Sequence, residues 1–191
     1  MNSQAWLLFL GAYLVGAVPT AYLLVRLITG DDIRILGDGN VGAKNTFESV
    51  SRWLGIFIAG IDITKGWMVI NAARLFGFSE GTVLFAGAAV VLGHDFSIFL
   101  NFRGGQGMAA TVGIFLALFP QITLGAFLAF LVFLALTKHW DLSCGLAFFL
   151  LTISLWITGR PNEQILFVML LLPWIAFSKI IQNRKKRRLA I

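Results

Sequence analysis

Residues 108–137 read MAATVGIFLALFPQITLGAFLAFLVFLALT, thirty positions without a charge. A hydrocarbon core about 30 Å thick takes roughly 20 residues of helix, so this run is too long for one ordinary span. Near its middle stand Pro120 and Gln121. Proline lacks the N–H that a helix interior needs and clashes with the preceding turn. The run therefore predicts two short helices joined by a tight turn at FPQ. A single long kinked helix would give six spans in the chain, whereas two helices give seven. The choice decides whether the two termini lie on the same side of a membrane or on opposite sides.

The rest of the sequence supports a membrane setting. Of 191 residues, 58% are hydrophobic and 13% charged, with mean hydropathy +0.85. Soluble domains carry about a quarter charged residues. The predicted spans are 5–28, 53–76, 81–100, 107–121, 122–137, 142–158 and 163–182, in a single domain over 1–191. The first apolar run has no basic segment before it and is too long for a cleaved leader, so it is read as a helix that stays. Pro19 should kink it. The single Cys144 excludes an intramolecular disulfide and reads as a small buried residue. No internal repeat, linker or second domain is visible.

Seven spans place the termini on opposite sides, and basic residues choose the side. The tail NRKKRRLAI carries five of them at 184–188. The alternate loops carry Arg34, Lys44 and Arg52, then Arg103, then Lys138, while the opposite loops hold little beyond Arg74 and Arg160. The expectation is an all-α integral membrane protein with the N-terminus outside and the C-terminus cytoplasmic. The basic tail also serves simply as an anchor on anionic lipid.

Polar chemistry then gathers on the cytoplasmic side. The first loop, GDDIRILGDGNVGAKNTF, holds Gly37, Gly39 and Gly42 between Arg34 and Lys44, with Asn40 and Asn45 as neutral donors. Successive backbone N–H groups in such a segment can cradle an anion. The spacing is not that of a Walker loop, and an ordinary glycine-rich membrane turn is the competing reading. The second segment, LGHDFSIFLNFRGGQGMAATVG, sets His94 and Asp95 near the cytoplasmic end of the third span. Arg103 and Gly104, Gly105 and Gly107 follow and lead into a helix N-terminus, a position suited to anions. Asp62 and Lys65, at i and i+3 in AGIDITKGW, share one face of the second span. They are either a structural ion pair or the floor of a polar pocket reached from the cytoplasm.

These residues resemble the bacterial acyl-phosphate:glycerol-3-phosphate acyltransferases, the PlsY family. The resemblance runs from about Gly16 to Gly113 through GAVPTAYLL, DDIRILGDGNVGAKN, IDITKGW and GHDFSIFLNFRGGQGMA, in that order. It implies a seven-helix bacterial plasma-membrane protein whose two glycine loops face the cytoplasm. It further implies transfer of a fatty acyl chain from acyl phosphate to the 1-hydroxyl of glycerol 3-phosphate, giving lysophosphatidic acid and phosphate. No metal, cofactor, nucleic acid or obligate protein partner is implied, only the two substrates and membrane lipid. By resemblance, Arg34, Gly37, Gly39, Asn40, Gly42, Gly104, Gly105 and Gly107 would hold phosphate, and His94 and Asn45 would serve the transfer, His94 by orienting or polarising a substrate group. From their places in the same two loops, Lys44, Arg103 and Gln106 are added as candidate phosphate contacts and Asp38 as a candidate for the transfer. No general base is obvious, and a phosphate oxygen of the substrate would take the hydroxyl proton.

The chain departs from the family pattern at named positions. Asp38 and Lys44 stand where GSGNxGATN has serine and threonine, and Gln106 stands where GGKG has lysine. Ser97 stands where proline is frequent, and FSKIIQNRKKRRL has no counterpart of RHxENI. A carboxylate beside a phosphate repels it unless paired or protonated. Lys44 would offset both changes by pairing with Asp38 and replacing the cation lost at Gln106. The alternatives are another acceptor alcohol, or a non-catalytic protein that binds phospholipid.

Overall fold

The computed structural model describes residues 3–189, with side chains through 181. The basic cluster at 184–188 lies outside the described side chains. The described chain is helical: α1 Ser3–Ala17, α2 Thr20–Thr29, α3 Ala43–Ser49, α4 Arg52–Leu75, α5 Glu80–Asp95, α6 Met108–Leu118, α7 Pro120–Thr137, α8 Trp140–Ile157 and α9 Asn162–Leu189. Two short 3-10 turns, Ile33–Ile35 and Ile98–Leu100, sit in the glycine loops.

Among the described residues, six stretches are long and apolar enough to cross a membrane: Ser3–Thr29, Arg52–Leu75, Glu80–Leu100, Pro120–Thr137, Trp140–Ile157 and Asn162–Ile181. The thirty-residue run does divide in two, at Phe119 (φ −148°, ψ 71°), with Pro120 opening α7. Proline suits a first-turn position, where its missing N–H has no intrahelical partner to lose. The first of the pair, α6, has only 11 residues. At 1.5 Å per residue it is about 16 Å long, half the hydrocarbon thickness. The expected span 107–121 is therefore shorter than drawn.

Pro19 does more than kink the first span, which was expected to be one helix. It separates α1 from α2 outright. The last carbonyls of a helix lack intrahelical donors, and those at this break are taken by distant side chains. Ser97 Oγ donates to Ala17 O at 2.5 Å, and Lys65 Nζ to Val18 O at 2.7 Å. Tyr13 Oη adds a bond to Phe96 O at 2.7 Å.

Small residues let the helices approach closely, as is usual where lipid supplies no hydrophobic drive between them. A Cβ on Gly93 of α5 would stand 2.0 Å from Tyr13 O of α1, and one on Gly16 of α1 would stand 2.0 Å from Val90 O. Gly66 of α4 meets Ala110 O in the same way, and Gly113 of α6 meets Ile63 O. Phe115, Phe119, Ile70 and Ile114 fill the space among α4, α5 and α6.

Side-chain contacts sort the connections into two groups. At one end Lys44 Nζ lies 5.8 Å from the Trp140 ring centre, Lys179 pairs with Asp141, and Trp174 Nε1 donates to Asp95. At the other, Arg74 bridges Ala117 O and Glu80, and Gln164 also donates to Glu80. Replacing Gly93 by valine should lower stability by about 1–3 kcal/mol or more, since the blocking atom is backbone. Gly11 has nothing within 4 Å of its Cβ position, and Gly11→Ala should be neutral or mildly stabilising. Thermal unfolding in detergent compares the two.

Candidate active site

The first loop is built around one buried amide. Asn45, 1% exposed, gives its Nδ2 to the carbonyls of Ile33, Leu36 and Asn40 at 3.3, 3.0 and 3.0 Å. Its Oδ1 accepts the Asp38 N–H at 3.1 Å and the Ser49 hydroxyl at 3.2 Å. The side chain expected to serve the transfer directly is thus turned inward as the staple of the loop. Gly37 sits against it at φ 51°, where a Cβ would fall 1.9 Å from Ser49 Oγ and 2.3 Å from Asn45 Oδ1. Both conformation and space demand glycine there.

Asp38 has a local task. Its Oδ1 accepts the Asn40 N–H at 2.7 Å, closing an Asx turn. Serine makes the same turn more weakly, which gives a structural reason for carboxylate where the family pattern has a hydroxyl. Lys44 opens the first turn of α3 and reaches Glu48 Oε1 at 3.8 Å. Asn40 is 6% exposed, and its Oδ1 is buried with no hydrogen-bond partner among the described residues.

Arg34 is clamped at the loop's edge. Nε lies 2.9 and 3.1 Å from the two Asp32 oxygens, Nη2 lies 2.6 Å from Oδ2, and the guanidinium stacks 4.9 Å from the Tyr22 ring centre. The bond from Arg34 holds the Asp32 carboxyl below its ordinary range, and Asp32 in turn raises Arg34. Of the five donors of a guanidinium, those on Nη1 stay outside the clamp.

The second loop wraps the end of α5. Gly104 N donates to Asp95 O at 3.0 Å and Gly105 N to His94 O at 2.9 Å. These two amides, expected to hold phosphate, serve the carbonyls that α5 leaves unpaired at its end. Contact explains the glycines as well. A Cβ on Gly104 would meet His94 O at 1.9 Å, and one on Gly105 would meet His94 Nε2 at 2.2 Å and Val41 O at 2.9 Å. Gly107, at φ 63°, presses on Asp95 and caps α6. The N–H groups of the first turn of α6 have no acceptor inside the helix. Arg103 is exposed and Gln106 half-buried beside them. The Gly105 contact with Val41 brings the two loops together, as their shared side of the sequence topology anticipates.

Behind His94 lies a closed polar knot. Asp62 Oδ1 accepts from Thr20 Oγ1 at 3.0 Å and from Lys65 Nζ at 2.8 Å, and stands 3.9 Å from His94 Nδ1. Lys65 Nζ also reaches Thr20 Oγ1 at 2.5 Å. Asp62, Lys65 and His94 are all under 10% exposed. The pair is a buried ion pair, as one of the two sequence readings has it, and its carboxylate lies beside His94. Thr20, Ser97, Asp95 and Trp174 were not singled out as site residues. Thr20 had one available signal, its place after the proline of the first span. The other three join elements far apart in sequence.

A family model described as glycerol-3-phosphate acyltransferase matches residues 6–188. The glycerol-3-phosphate acyltransferase of Geobacter sulfurreducens is 36% identical over 177 residues, covering 93% of this chain and 89% of the relative. That of Thermus thermophilus is 34% identical over 197 residues, covering 99% and 96%. Among solved structures, PlsY (YgiH), an integral membrane glycerol 3-phosphate acyltransferase in its glycerol 3-phosphate form, superposes with TM-score 0.85. It is 28% identical and the match covers 98% of this chain and 92% of that one. Its lysophosphatidic acid form gives TM-score 0.83 at 26% identity, covering 98% and 93%.

Removing the staple should open the first loop. Asn45→Ala removes the side-chain donor from three carbonyls. Ile33 O and Leu36 O keep the N–H groups of Leu36 and Gly39, while Asn40 O loses its donor, at a cost of about 1–3 kcal/mol for that buried group. Asn45→Asp should be at least as damaging, because it sets a carboxylate against those carbonyls. Limited proteolysis within residues 31–42, run alongside thermal unfolding, reads the effect. The Asp32 clamp has its own signature. Its pKa is depressed on folding, so its contribution is present above the ordinary carboxylate range and fades as pH falls through the lowered value. Asp32→Asn should differ from wild type at neutral pH and converge with it in acid.

Proposed function

The chain belongs to the glycerol-3-phosphate acyltransferase family, and from that premise we propose how it works. It moves a fatty acyl group from acyl phosphate to the 1-hydroxyl of glycerol 3-phosphate, in a single domain over 1–191. The observation that carries this reading is the placement of His94. The Nε2 edge of its ring faces Gly105 where the second loop touches Val41 of the first, while Asp62 stands behind it. Two polar loops meet at one histidine, inside an otherwise apolar bundle. A reaction joining a charged alcohol to a lipid tail needs such a place.

The acceptor hydroxyl attacks the acyl carbonyl carbon, a new C–O ester bond forms, and the C–O bond to the phosphoryl group breaks. The departing phosphate keeps that bonding pair and takes the hydroxyl proton on one of its oxygens. The protein's contribution is orientation and charge stabilisation. Arg34 holds a phosphate through Nη1 while Asp32 keeps the rest of the guanidinium fixed. Arg103, Gln106 and the first-turn N–H groups of α6 take the other phosphate, and Lys44 adds positive field at the loop's edge. Gly37, Gly39 and Gly42, with Asp38 and Asn45, shape the first loop. Gly104, Gly105 and Gly107 let the second loop lie against His94 and Asp95. The acyl tail lies among the apolar helices.

The bundle crosses seven times, with the N-terminus outside and the glycine loops and C-terminus on the cytoplasmic side. Two facts support this. Arg34, Lys44, Arg52, Arg103 and Lys138 lie on connections of one group, and only Arg74 and Arg160 on the other. The short α6 begins against Asp95 at the loop end and finishes where Arg74 takes Ala117 O at the far end. It thus connects both layers.

Purified protein given palmitoyl phosphate and glycerol 3-phosphate should release phosphate and lysophosphatidic acid in equal amounts. Arg34→Ala should raise KM for a phosphorylated substrate about 10–100-fold, as loss of a charged hydrogen bond implies. His94→Ala should lower kcat. Phosphate release that needs a different alcohol would show a rebuilt acceptor site. Binding of acyl phosphate without any turnover would leave a non-catalytic phospholipid-binding protein.

A further inference from the structure

We propose that Asp62 is a positioning residue for the transfer: it sets the orientation and tautomer of His94, and Thr20 and Lys65 hold its carboxylate for that purpose. The inference rests on the acyltransferase reading above and extends it to residues that touch no substrate.

The geometry of the knot leaves Lys65 no part in holding a phosphate. An ammonium has three donors. Those of Lys65 face Val18 O, Thr20 Oγ1 and Asp62 Oδ1, all within 2.8 Å. None is left for a phosphate, so Lys65 is not a substitute for the cation absent at Gln106. Thr20 closes the knot by accepting from Lys65 and donating to Asp62. Asp62 Oδ1 is thereby fixed from two sides and points at one remaining polar neighbour, His94 Nδ1 at 3.9 Å.

The imidazole lies between two different surroundings. Nδ1 faces the carboxylate, and Nε2 faces the open Cα of Gly105 in the second loop. A carboxylate beside one ring nitrogen draws the N–H to that side and leaves a lone pair on the other. The 3.9 Å gap needs to close by about 1 Å to become a hydrogen bond, as often happens when a substrate enters a site. Nε2 then accepts a hydrogen bond from the acceptor hydroxyl and turns its oxygen toward the acyl carbonyl. As the ester bond forms, that proton passes by way of Nε2 to an oxygen of the departing phosphate, so the histidine ends the cycle as it began. Gly105 lets the second loop lie directly on the Nε2 edge, since a side chain there would strike the ring.

Lys65 has a second consequence. Its charge neutralises Asp62, so the carboxylate can fix the ring without a net charge buried in the bundle. For that reason the test removes both charges together. Asp62→Asn/Lys65→Gln and Asp62→Asn are made in full-length protein, in wild-type and in His94→Gln backgrounds. Each is assayed with palmitoyl phosphate and glycerol 3-phosphate, and thermal unfolding confirms that each is folded. The double variant should lose about 10–100-fold in kcat, the cost of a misplaced catalytic group, with both KM values within about threefold of wild type. In the His94→Gln background the same changes should add less than about twofold, because the route through the ring is already gone. A double variant that retains wild-type kcat would overturn the inference, as would an equal loss with and without His94. Wild-type protein that makes no lysophosphatidic acid would overturn the underlying reaction, a failure visible before any variant is made.

Discussion

The ammonium of Lys65 sits inside the bundle with Val18 O, Thr20 Oγ1 and Asp62 Oδ1 around it. A charge at such depth is costly unless every donor is used and an opposite charge is near. Meeting that demand shapes much of the molecule. It requires a free carbonyl from the first span, which the break at Pro19 supplies. It requires the second span to lie close to that break. It then places Asp62 beside the end of α5, where His94 stands. The neighbouring carbonyl, Ala17 O, is taken by Ser97, so the connection after α5 is tied to the same break. One proline, one lysine and one serine tie this break to segments 47 and 80 residues further along the chain.

Both glycine clusters are contact surfaces before they are anything else. In the first loop Gly37 yields to Asn45 and Ser49, and in the second Gly104 and Gly105 lie on the backbone and ring of His94. Their amides turn inward, toward Asp95 O and His94 O. The loops are therefore rigid frames. Donors for an anion are held on them or begin just beyond them, at Arg34 and at the first turn of α6. Of the two sequence readings of these segments, the tight turn is the one these contacts describe, and in the second loop the amides of Gly104 and Gly105 are spent on carbonyls.

Much of this was legible in the residues because it is local. The FPQ break follows from proline chemistry, the shared face of Asp62 and Lys65 from helical spacing, and the approach of the loops to one another from connection order. Length was harder. The expected span 107–121 began within a residue of α6 but ran three residues past its end at Leu118, because Pro120 opens the next helix and does not close this one. The staple role of Asn45 was hidden because its partners are carbonyls, which every residue carries. Asp38 looked hostile to phosphate until its turn with Asn40 was seen. The roles of Thr20, Ser97 and Trp174 were hidden for a related reason: Thr20 stood out only by its place after a proline and Ser97 only as a departure from the family pattern, and a partner forty to eighty residues away gives each its meaning.

The brevity of α6 has a mechanical consequence. A helix of 11 residues facing lipid would force the surrounding bilayer to thin, at an elastic cost for every ångström of mismatch. Here the helix is enclosed: Ala110, Thr111, Gly113, Ile114, Phe115 and Leu118 are buried, and both its ends rest on protein. Longer neighbours present full-length apolar walls outward, so the surrounding leaflets keep their natural thickness. The protein can sink polar groups to mid-depth without denting the membrane around it.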